Sequence, residues 1–142
     1  MKNLAKPLLS GTIALGLALG MSFCTNNTGD IPEAEYQNKI VGKWLGIVGN
    51  EKENMTLNND STFVCDVHPT GFIANTLSQG INERGSISGT WKINGDAIFL
   101  TITGEKNENL ENTQTFSTIE SFKENEIVLK SDKGEVSTFH RE

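Results

Sequence analysis

Residues 86–103 read Ser86-Ile87-Ser88-Gly89-Thr90-Trp91-Lys92-Ile93-Asn94-Gly95-Asp96-Ala97-Ile98-Phe99-Leu100-Thr101-Ile102-Thr103, and their pattern decides the fold class. Ile87, Gly89, Trp91 and Ile93 recur at every second position, as do Ile98, Leu100 and Ile102. Successive side chains of a β-strand point to opposite faces, so a period of two gives each run one inner and one outer face. Between the runs stands Asn94-Gly95-Asp96. Asn-Gly is a strong hairpin signal, because both central residues of a type I′ turn need positive φ. The stretch predicts two antiparallel strands joined by a tight turn and sharing an inner face.

Similar runs lie on both sides. Upstream, residues 41–48 hold Trp44, Leu45, Ile47 and Val48 and end at Gly49-Asn50, and residues 54–57 form a weaker run closed by Asn58-Asn59-Asp60. Residues 62–68 alternate, with Phe63, Cys65 and Val67 on one face and Thr62, Asp66 and His68 on the other. Downstream come residues 115–122, 126–130 and 135–141, separated by Lys123-Glu124-Asn125 and Ser131-Asp132-Lys133-Gly134. The chain therefore reads as all-β, an up-and-down antiparallel meander of about eight strands forming a small barrel or half-barrel. Closure is favoured because an open sheet would leave an apolar face and two edges exposed. The predicted inner set runs from Trp44, Met55 and Leu57 to Ile119, Leu129 and Val136. Phe116, Ile119 and Phe122 break strict alternation, which predicts either a bulge or a shifted strand boundary there.

Two connections are long. Residues 69–84 contain Phe72, Ile73, Leu77 and Ile81, so this loop is expected to pack over the barrel mouth. Residues 104–112 are polar and acidic and read as a solvated loop; Glu105, Glu108 and Glu111 lack the spacing of a calcium loop.

Ahead of the strands, Pro32-Glu33-Ala34-Glu35-Tyr36 places Pro and acids in a first turn with Asp30 as a candidate cap, predicting one short N-terminal helix over 32–39. Still earlier, Lys2 and Lys6 precede an apolar run over 8–19, after which the chain turns polar at Thr25-Asn26-Asn27-Thr28. A charged start, a short apolar core and small residues at its end are an export leader, too short to cross a bilayer comfortably. Two cuts compete: before Cys24, or after Ala18-Leu19-Gly20. With the first, residues 1–23 are the leader, 24–37 a polar tether and the start of the helix, and 38–142 the β domain.

The 142 residues carry 12 basic and 18 acidic side chains; losing Lys2 and Lys6 with the leader takes the net charge from −6 to −8. Phosphate binding needs clustered Lys and Arg, which are missing, so nucleic acid is excluded as a partner, and the acidity suits a soluble monomeric domain. There are two cysteines. If Cys24 is acylated, Cys65 has no partner and reads as a small buried hydrophobe; a cut after Gly20 leaves a disulfide open to both.

Two resemblances follow from these residues. Ser22-Phe23-Cys24 resembles a bacterial lipobox, with Phe23 where a small residue is usual. That likeness implies acylation of Cys24, and Thr25 after it implies outer-membrane sorting; the other cut implies a soluble periplasmic or secreted protein. Gly42-Lys43-Trp44 resembles the G-x-W first strand of lipocalins, and Arg141 the arginine that packs over that tryptophan. Asn59-Asp60-Ser61-Thr62-Phe63, Ser88-Gly89-Thr90-Trp91, Asn94 to Leu100, Asn125 to Leu129 and Phe139-His140-Arg141 follow in the order of the small lipocalin-like domains carried on bacterial lipoproteins. This likeness covers about residues 38–142 and implies a barrel with a binding interior, no cofactor and no shared catalytic residues.

The candidate chemistries are accordingly few. Trp44 and Arg141 are the expected barrel-closing pair, a cation over an aromatic face. Phe63, Ile87 and Trp91, with Phe72 and Ile73 of the long loop, are the expected lining of a site for a small apolar ligand. Asp66, His68 and His140 have ligand chemistry for zinc or iron, but the strand pattern gives no reason for them to meet, so no metal is expected. A Cys65–His68 nucleophile pair fails because odd spacing on a strand sends the two to opposite faces. No nucleophile elbow or phosphate loop appears. The expected protein is a non-enzymatic, lipid-anchored envelope protein binding a small apolar ligand or an envelope partner; the alternative is an interaction protein with a filled barrel.

Overall fold

The computed structural model describes residues 30–77, 83–103 and 110–142. The leader, Cys24 and the tether up to residue 29 lie outside them, as do Ile81 and the acidic residues 105 and 108. Eight strands, β1 (Gly42–Val48), β2 (Glu51–Leu57), β3 (Thr62–Val67), β4 (Gly85–Asn94), β5 (Ala97–Ile102), β6 (Gln114–Lys123), β7 (Glu126–Ser131) and β8 (Val136–Arg141), pair in sequence order. Every neighbouring pair is antiparallel, and β8 returns to β1 through Trp44↔Arg141, Leu45↔His140 and Gly46↔Phe139. The meander is thus a closed barrel, which removes both sheet edges.

Alternation places the core. In β3, Phe63, Cys65 and Val67 are buried; in β4, Ile87, Gly89 and Trp91; in β5, Ile98, Leu100 and Ile102. Trp44, Phe63, Phe122 and Phe139 are the bulkiest fully buried side chains. Burying each such side chain contributes about 1.5–3 kcal/mol, so the barrel interior is the main source of stability. β6 contains the predicted irregularity: its register on β7 shifts between Ile119 and Ser121. The extra residue, Glu120, lets Ile119 and Phe122 both turn inward although they are three apart, whereas Phe116 faces out and packs on Phe99 with ring centroids 5.7 Å apart.

Several sequence expectations are corrected. Val136 was expected inside but is 60% exposed, because β8 turns the small Ser137 and then Phe139 inward. β2 starts at Glu51, three residues before the predicted run. In the β4–β5 hairpin Gly95 has φ of 63° and neither Asn94 nor Asp96 has positive φ. The two-residue turn is therefore centred on Gly95-Asp96, the glycine-first pattern of type II′ rather than type I′. The predicted N-terminal helix is a 3₁₀ turn, Glu33–Glu35, followed by α1 (Tyr36–Lys39). Asp30 does not cap it; its carboxylate accepts from Ser121 Oγ at 3.3 Å. The long loop after β3 is not all irregular, since Phe72–Thr76 forms a second short helix, α2.

Candidate functional site

The ends of the barrel are closed by different chemistry. At one end lie the β2–β3, β4–β5 and β6–β7 turns, α1 and the last residues of β8. Arg141 projects over Trp44, with Cζ 4.3 Å from the ring centroid. Its guanidinium donates to three main-chain carbonyls, Val41 O at 2.8 Å, Lys39 O at 2.6 Å and Glu124 O at 2.9 Å, while Trp44 Nε1 donates to Ile40 O at 2.8 Å. Gly42 has φ of 147°, and a Cβ there would collide with the Arg141 guanidinium. The first element of the G-x-W pattern is thus explained by the close approach of the last strand.

At the other end, α2 crosses the mouth. Phe72, Ile73, Ala74, Thr76 and Leu77 are buried, and Phe72 packs edge-on against Phe139 of β8 at 5.9 Å. Three polar anchors hold the helix. Glu53 of β2 accepts from the Phe72 amide at 3.1 Å and the Ile73 amide at 3.2 Å, one on each carboxylate oxygen. Thr115 Oγ1 of β6 donates to Thr76 O at 3.2 Å, and Lys133 Nζ, from the β7–β8 turn, donates to Asn75 O. The first four amides of any helix lack internal partners, so a carboxylate in front of α2 satisfies two of them.

Glu53 is 0% exposed. Burial pushes its carboxyl from 4.5 up to about 7, with the Ile73 and Phe72 amides pulling the other way. Beside it stands His68, 4% exposed, whose Nδ1 lies 3.3 Å from Thr70 Oγ1 and whose Nε2 has no hydrogen-bond partner among the described residues. His68 was expected on the outer face of its strand. β3 ends at Val67 and the chain turns inward there, so the alternation does not reach it. Gly71 fits between the two groups: a Cβ on it would stand 2.6 Å from Glu53 Oε1 and 3.2 Å from His68 Cε1. Ser137 Oγ, also near this end on β8, is the other buried side-chain atom without a partner among the described residues.

The five residues expected to line an apolar site, Phe63, Phe72, Ile73, Ile87 and Trp91, all join one buried cluster. Trp91 is tied to the opposite end by Nε1 donating to Asn58 O at 3.0 Å. Ile73 borders an interior cavity of about 10 Å³ that it shares with Met55, Thr76, Leu100, Thr115 and Leu129 and that the other four do not line. Such a volume admits about one water molecule. Phe72 and Ile73 of α2, and Leu77 after it, join the same buried cluster as the side chains of the barrel wall.

The remaining candidates are separate. Asp66 is exposed and accepts from Asn54 Nδ2 at 2.9 Å; His140 is on the surface, 3.9 Å from Glu126. Neither joins His68, and among the described residues no three His, Cys, Asp or Glu side chains gather. Burial raises the Cys65 thiol well above its ordinary value, with Glu53 and Asp66 adding to the rise, so it stays protonated. Glu53 was missed because a glutamate reads as an outward residue. Its position, two before Met55 and four before Leu57, was the available signal.

No protein-family model matches the sequence. No curated protein matches it either. Among solved structures, the chain is similar to a lipocalin-like protein from Bacteroides uniformis, with a TM-score of 0.47 and 13% identity over 73% of this chain and 99% of that one. It is also similar to an uncharacterised protein from Bacteroides eggerthii, with a TM-score of 0.46 and 13% identity over 72% and 98% of the two chains. The barrel assignment rests on the strand pairings themselves.

Proposed function

We propose that this chain is an exported, lipid-anchored binding protein of the bacterial envelope, whose barrel takes a small apolar ligand in exchange for α2 and performs no chemistry on it. The observation that carries the reading is the unequal closure of the barrel. Around its wall every strand is laddered to two neighbours, whereas the mouth is covered by five helical residues held by a few polar contacts. A helix this short has little stability of its own and depends on what it docks against. Were α2 to swing out, Phe72 and Ile73 would be its apolar underside, and Met55, Leu100 and Leu129, which border the cavity beneath Ile73, the wall left behind. The apolar leader ending at Cys24 supports export and anchoring, with outer-membrane sorting the favoured destination.

A second reading is an interaction protein whose interior never opens and which meets another envelope protein with its outer face. The cavity of about 10 Å³ favours it. Native mass spectrometry on protein taken from its own envelope separates the two. A reproducible co-purifying small molecule is the expected result; a bare chain, with no mass added by any apolar compound offered to it, would replace the first reading by the second. The same spectrum reads the N-terminus, where a diacylglyceryl-modified Cys24 is expected.

A further inference from the structure

We infer that the ligand of this barrel carries a protonated amine on an apolar body, and that its ammonium takes the place of the Phe72 and Ile73 amides on the Glu53 carboxylate. The inference rests on the reading of the barrel as a ligand binder and names the class of ligand. α2 supplies the first clue, because it already occupies the mouth and has the pattern a competitor must reproduce. Two N–H donors face a buried carboxylate, and behind them Phe72, Ile73 and Leu77 fill apolar space. A molecule displacing α2 must give Glu53 new donors, since a buried carboxylate stripped of hydrogen bonds is strongly disfavoured.

Charge narrows the choice. The α2 amides are neutral, and none of the ion pairs among the described residues includes Glu53. Burial pushes the carboxyl up, and the two amides only partly oppose that rise. An alcohol head would donate but bring no charge, and a carboxylate head would add a second anion beside the first. An ammonium supplies both a donor and the missing positive charge, giving charge-assisted hydrogen bonds, which are roughly twice as strong as neutral ones. The net charge of −6 also raises the local concentration of cations over anions.

The donor count matches too. A primary ammonium has three N–H groups; two serve the two oxygens of Glu53. The third can go to His68 Nε2, which lacks a partner among the described residues and is an acceptor when the ring proton sits on Nδ1, facing Thr70 Oγ1. Both groups border the space where Gly71 has no side chain.

Calorimetric titration of the full chain at pH 7.5 with octylamine, octanol and octanoate, each below its aggregation concentration, tests this. Octylamine is expected to bind one to one and about tenfold or more tighter than octanol or octanoate. It should shift the Phe72 and Ile73 amide resonances, and Glu53→Gln should erase the preference for the amine. Equal binding of all three, a preference for octanoate, or a preference that survives Glu53→Gln would overturn the amine assignment and leave the barrel reading standing. Failure of all three to bind would overturn both. If Glu53→Gln does not fold, the ranking of head groups and the amide shifts in the wild-type protein decide.

Discussion

The two ends of the barrel do the same job by opposite means. At the Trp44 end a permanent cation, Arg141, lies over an indole ring and satisfies three carbonyls contributed by both the first and last parts of the domain. A guanidinium does not lose its proton in proteins, so nothing near neutrality loosens this closure. At the α2 end an anion is buried beneath a five-residue helix, and a neighbouring imidazole nitrogen has no partner among the described residues. Its charge depends on pH. One closure rests on a charge that does not titrate near neutrality, and the other on a five-residue helix anchored to a carboxylate that does.

The comparison can be broken most easily at Trp44. Trp44→Ala leaves a cavity, removes the surface on which Arg141 lies and orphans Ile40 O, and should cost about 4 kcal/mol, read as a fall in the urea midpoint. A loss below about 1 kcal/mol would show that the end does not depend on this side chain. Glu53 gives a smaller, pH-dependent effect. Folded, its carboxyl holds its proton to about 7; unfolded, it releases it near 4.5. Between those values the folded state binds more protons, so stability falls as pH rises and levels off above the window, by about 3 kcal/mol in all. His68 and Cys65 face the same region but are shared by wild type and Glu53→Gln, so the difference between the two proteins isolates Glu53. That difference should move against the wild type from pH 4.5 to 8, and a flat difference would sink the assignment. Smallest is Arg141→Lys, which keeps the charge but gives up the planar stack and the fixed fork of donors. It should cost about 1–2 kcal/mol by urea unfolding, with no change of that cost between pH 5 and 8.

Where the chain obeys a period of two, its sequence reads correctly. The inner faces of β3, β4 and β5 and the irregularity in β6 follow from apolar spacing, because the barrel interior leaves an apolar side chain only one face, while the place of the β4–β5 turn, though not its type, follows from Asn94-Gly95. Failures occur where chemistry contradicts position. Val136 was assigned inward because Ser137, small and polar, does not look like a core residue. Glu53 was hidden by the cost of burying a carboxylate, which the α2 amides offset only once the loop has folded back onto it. α2 itself is too short for a helical period and has no side-chain cap of its own, so it carried no local signal. The α2 end was least legible because its contacts join β2, β6 and the β7–β8 turn, segments far apart in the chain.

Ile31 enters the domain through its amide on Phe122 O, beside the β6–β7 turn and Arg141. The connection to everything before residue 30 therefore leaves from that pole. A lipid on Cys24, if the proposed anchor is present, would then hold the domain from the pole opposite α2.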